Sequence, residues 1–84
     1  MHVTYRELRD LKHQLPSGSM SRIAQELSIS EQTVRNFFGA DKAAGTPGDW
    51  HFEPGPDGGI VEFENNPIYE AAQKILQAHA AANN

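Results

Sequence analysis

Residues 20–39, MSRIAQELSISEQTVRNFFG, leave this chain few ways to fold, because two apolar stripes of helical spacing sit only a few residues apart. Ile23, Ala24 and Leu27 form the first stripe; Val34, Phe37 and Phe38 form the second. Both follow the i, i+3, i+4 spacing that gathers side chains on one helical face. Ser28-Ile29-Ser30 between them is too short for anything but a turn. Ala24 supplies the small side chain needed where two helices cross steeply after so short a connection. Ser19 is expected to cap the first helix and Ser30 the second. Neither helix would persist unpacked. Ile23, Ala24, Leu27, Ile29, Val34 and Phe37 are therefore expected to dock against the helix that precedes them.

That preceding helix is predicted from about Tyr5, because Thr4 and Glu7 have the spacing of a capping box. Tyr5, Leu8, Leu11 and Leu15 form its stripe, and Pro16-Ser17-Gly18 ends it. His13 falls in its last turn, where a cation is favoured. Beyond residue 40 the composition shifts to a loop of small residues, 41–48, and then to a predicted hairpin over residues 49–65. Its strands are residues 50–53 and 60–64, joined by the turn cluster Pro54-Gly55-Pro56-Asp57-Gly58-Gly59. Trp50 and Phe52 share one face, as do Val61 and Phe63. A hairpin alone is marginal and must pack on the helices or on a partner. A closing helix is predicted over residues 67–81, with Asn66 as its cap and Pro67 at its first position. Ile68, Ala71, Ala72, Ile75 and Leu76 form its stripe.

The bulk properties narrow the function classes. A chain of 84 residues makes one small domain with a marginal core, so oligomerisation is an expected source of stability. The lack of cysteine excludes disulfides and thiolate metal sites. His2, His13, His51 and His79 are dispersed, so no metal site is expected, nor any cofactor. No phosphate-binding glycine loop is present, and so small a chain offers little cleft for catalysis; an enzyme is not expected. No apolar run approaches the roughly 18 residues of a membrane span, and no signal peptide is visible, so a cytoplasmic location is expected. The net charge is −4, unevenly spread. Residues 1–48 carry a net +1, whereas residues 49–84 hold Lys74 alone against six acids, a net −5. Any contact with phosphate must come from the N-terminal half.

The second helix of the pair has a polar front. Gln32 and Asn36 point away from Val34, with Thr33 and Arg35 flanking them. Gln and Asn can bond adenine edges and Arg can bond guanine, as reading a DNA major groove requires. The pattern resembles the helix-turn-helix of the LacI and lambda-repressor-like bacterial regulators. Ile23, Ala24, Leu27, Ile29, Val34 and Phe37 fall where that motif is apolar or small. Gln32, Thr33 and Val34 match the opening of a LacI-type recognition helix, and Asn36 falls where a base-contacting residue is common. Ser28 stands where the turn commonly has Gly. Either it takes a left-handed conformation at about 1–2 kcal/mol cost or the turn differs.

The fold expected is mainly α: a helix-turn-helix bundle of about four helices, with a β-hairpin inserted before the last. The resemblance covers about residues 5–40. It implies sequence-specific double-stranded DNA binding by a small prokaryotic or phage-type transcriptional regulator, as a homodimer, with about residues 31–38 in the groove. Gln32, Arg35, Asn36 and Glu31 are the candidate base contacts. Ser19, Ser21, Arg22, Ser30, Thr33 and Lys42 are the candidate backbone contacts. No small-molecule effector is expected. The alternative is an acidic protein-interaction module that keeps the scaffold without binding DNA. The hairpin carries Glu53, Asp57, Glu62 and Glu64 and no cation, so a packing or dimerisation role is expected for it rather than groove contact.

Overall fold

Thr4 ends a strand and starts a helix in the same residue. In the computed structural model, which describes residues 2–39 and 51–82, its Oγ1 accepts from the Glu7 amide at 3.0 Å. The Glu7 carboxylate accepts from the Thr4 amide at 3.1 Å, completing the capping box read from the sequence. The elements run β1 (His2–Thr4), α1 (Tyr5–Gln14), α2 (Ser19–Leu27), α3 (Glu31–Phe38), β2 (His51–Glu53), β3 (Ile60–Glu62) and α4 (Pro67–Ala82). The protein is mainly α with a small antiparallel sheet before the last helix.

The reversal from α1 to α2 departs from expectation. Leu15 turns extended (φ −73°, ψ 143°), as a residue before proline must. Gly18, not Ser19, occupies the cap of α2, at φ 87°. The chain reversal demands a positive φ at that point, which Gly meets without strain. Ser19 becomes the first helical residue, and its hydroxyl donates to the Pro16 carbonyl at 2.6 Å.

The turn between α2 and α3 resolves the two options left for Ser28. It takes the left-handed conformation (φ 57°, ψ 43°). The Ser28 amide donates to the Gln25 carbonyl at 3.3 Å and the Ile29 amide to the Ala24 carbonyl at 3.0 Å. These are the two bonds of a Schellman motif, with serine where glycine is usual. Ser30 then caps α3 as expected, its hydroxyl accepting from the Thr33 amide at 3.0 Å.

Leu8, Leu11 and Leu15 of the α1 stripe are buried together with Ile23, Ala24, Val34, Phe37 and Phe38. For α2 the docking partner differs from the expected one. α2 packs mainly on α3 and α4, while α1 meets α3. Ile68, Ala71, Ala72 and Ile75 of α4 complete this core. Asn66 caps α4 as read from the sequence. It is 1% exposed, and its Oδ1 accepts from the Ile68 and Tyr69 amides at 3.0 and 3.2 Å.

The hairpin is part of a three-stranded sheet, in the order β1-β3-β2. β3 pairs antiparallel on both sides, and its Val61 lies opposite Val3 and Phe52. β3 ends two residues earlier than expected, at Glu62. Phe63, beyond β3, is still buried, and Trp50 lies outside the described residues. The hairpin's turn folds back on α1. The Tyr5 amide donates to the Gly59 carbonyl at 2.9 Å. A Cβ on Gly58 would lie 2.8 Å from the Tyr5 ring.

Two stability changes follow. Ser28→Gly removes a left-handed cost of about 1–2 kcal/mol while adding unfolded-state entropy of about 0.4–1 kcal/mol. The variant should therefore be more stable by up to about 1.5 kcal/mol, raising the melting midpoint by about 6–12 °C at most. Asn66→Ala should lower stability by about 1–2 kcal/mol, because two amides at the start of α4 lose their acceptor. Thermal melts followed by circular dichroism check both.

Candidate nucleic-acid interface

The candidate base-contacting residues all lie on α3, whose orientation is set from behind. Val34 and Phe37 are 0% exposed and Phe38 is 2% exposed, so the helix cannot rotate without opening the core. Phe37 lies against Phe38 and Phe63, with ring centroids 5.3 and 5.9 Å away. The opposite face is left to solvent. Glu31, Gln32 and Arg35 are exposed, and Thr33 and Asn36 are half-buried.

Each polar side chain on that face has a partner within the helix or its cap. The Arg35 guanidinium donates to Glu31 Oε1 at 2.7 Å, and the Gln32 amide donates to Asn36 Oδ1 at 2.9 Å. The Thr33 and Ser30 hydroxyls share a 2.7 Å hydrogen bond. The first two pairs are one helical turn apart, as four-residue spacing dictates. An exposed pair of this kind contributes about 0.3–0.5 kcal/mol, whereas a bidentate contact to a base edge is worth about 1–3 kcal/mol. The pairs orient these side chains but are weak enough to yield to a base.

The candidate backbone contacts divide. Ser19 is 4% exposed with its hydroxyl committed to Pro16, so it presents nothing to a ligand. Ser21 is half-buried and Arg22 is exposed at the start of α2. Lys42 lies outside the described residues. An open depression of about 210 Å³ joins the end of α1 to the starts of α2 and α3, with Lys12, Ser17, Ser21, Glu31 and Arg35 on its lining. Lys12 was missing from the sequence candidates. Its place on the same depression as Arg35 depends on how α1 and α3 pack, which spacing along the chain does not report. No carboxylate among the described residues pairs with Lys12 or Arg22.

Carboxylates of the sheet and its turn have nearby partners. Glu62 contacts His2 at 2.7 Å, Glu53 contacts His51 at 3.2 Å, and Asp57 lies 3.7 Å from Arg6. With its turn seated on Tyr5, the hairpin packs on α1. Among the described residues, no three His, Asp or Glu side chains gather as a metal site requires. No helix among them is long and apolar enough to cross a membrane.

No protein-family model matches the chain, and comparison with curated proteins and with solved structures returned no significant match.

The exposure of the α3 front sets a test of its own. Arg35→Ala and Gln32→Ala should each change stability by no more than about 0.5 kcal/mol, as surface substitutions do. A urea melt that shows a larger loss would mean that the face is packed.

Proposed function

We propose that this chain binds double-stranded DNA sequence-specifically, as a small prokaryotic or phage-type transcriptional regulator of the cytoplasm. In this reading α3 enters the major groove, and Gln32, Arg35, Asn36 and Glu31 meet base edges. Lys12, Ser21, Arg22, Ser30 and Thr33 meet phosphates beside it, with Lys42 following the helix. The observation that carries the reading is the pairing of a rigidly buried back on α3 with a front of oriented amide, guanidinium and carboxylate groups. Three cations stand close enough in sequence or space to serve phosphates, which is few for one copy. A homodimer on a two-fold site doubles them and sets the recognition helices about 34 Å apart.

A second reading has its own support. The net charge of −4 and the intrahelical partners of all four base-contact candidates suit an acidic protein-interaction module that keeps the scaffold. Selection from a random duplex pool, followed by anisotropy titrations at two salt concentrations, separates the two. The regulator should enrich related sequences and lose affinity steeply as salt rises. Arg35→Ala should remove about 1–3 kcal/mol of discrimination at one base position. Lys12→Ala should weaken binding to all duplexes alike and reduce the salt slope by about one. No enrichment, with weak and salt-insensitive binding, would overturn the DNA reading in favour of the interaction module.

A further inference from the structure

The Glu31–Arg35 pair is a departure from what phosphate attraction alone would place on a DNA-facing helix. Glu31 puts a carboxylate at the first position of α3, on the lining of the depression that it shares with Lys12 and Arg35. Near phosphates such a group repels, so its presence needs a compensating partner. A carboxylate only accepts hydrogen bonds. In the major groove the donors are the amino groups of cytosine and adenine, and adenine carries an acceptor, N7, next to its amine. That lone pair repels a carboxylate; cytosine offers its amine without it.

The partner side chain completes the match. Arg35 uses one guanidinium nitrogen on Glu31 Oε1 at 2.7 Å, which leaves further N–H donors free. Glu31 Oε2 takes no part in that contact. The two side chains are 47% and 45% exposed, so both reach solvent while holding each other in place. Across a G·C pair the major-groove edge presents guanine N7 and O6 as acceptors and cytosine N4 as a donor. Donors beside an acceptor is the complement that the Arg35–Glu31 pair offers.

We infer that Glu31 is a specificity-determining residue that acts as one unit with Arg35, the pair reading a single G·C base pair through the cytosine amine and the guanine acceptors. The inference rests on the DNA-binding reading above and names the base pair for that site. At an A·T pair the amine comes with the N7 lone pair beside it, which repels the carboxylate and penalises binding.

The test is duplex selection from a random pool with the intact chain and with Glu31→Gln, which keeps the side-chain length and an acceptor for Arg35. The wild-type chain should enrich a G·C pair at one position. Glu31→Gln should lose about fivefold or more of the cytosine preference there, the equivalent of one good base contact, and leave the other positions and the melting midpoint unchanged. Glu31→Ala should relax the same position. Identical preferences in wild type and both variants, or an even change in affinity across all sequences, would overturn the inference while leaving the DNA reading intact. A wild-type chain that enriches nothing would overturn both.

Discussion

The fold depends on what stands behind α3. Phe37 is fully buried and its ring lies edge-on to Phe63, which leaves β3, and Phe63 in turn meets Tyr69 of α4 with centroids 4.9 Å apart. One run of aromatic rings thus ties the exposed helix to the sheet and to the closing helix. Aromatic pairs of this kind add about 0.5–1.5 kcal/mol each beyond the area they bury. In a chain this small they also fix geometry, because α3, with 8 residues, has little helical stability of its own. A polar face is only as well placed as the packing beneath it.

Local rules set the ends of the helices, and those ends were legible in the sequence. Thr4 with Glu7, Ser30 with Thr33, and Asn66 with Ile68 and Tyr69 all bond across two or three residues, so spacing alone reveals them. The misassigned cap lay in Pro16-Ser17-Gly18-Ser19, which offers Gly18 and Ser19 side by side. Side-chain chemistry favours serine there, but the backbone reversal favours glycine, and the backbone prevailed. The first strand was missed for another reason. It is three residues long and its partner is β3, far along the chain, so neither periodicity nor a turn signal marks it.

The candidate site was legible to the same degree. Helical spacing separates the front of α3 from its back, so Glu31, Gln32, Arg35 and Asn36 could be named together. Their mutual pairing at i, i+4 is also a matter of spacing. The burial of Ser19 and the place of Lys12 on the depression that Arg35 also lines were not legible. Both depend on the angle at which α1 meets the rest, and that angle is fixed by contacts between residues distant in sequence.

The pairing of β1 with β3 has a consequence for synthesis. Val3 finds Val61, and Tyr5 finds the Gly59 carbonyl, only after residues 59–61 have been made. α1, α2 and α3 leave the ribosome before β3 and α4, with Leu8 and Ile23 lacking the cover that the sheet and α4 later provide. Contacts so far apart in sequence carry a loop-closure cost before they contribute stability. The pair of α2 and α3 therefore acquires its fixed shape late, when the acidic half arrives to close over it.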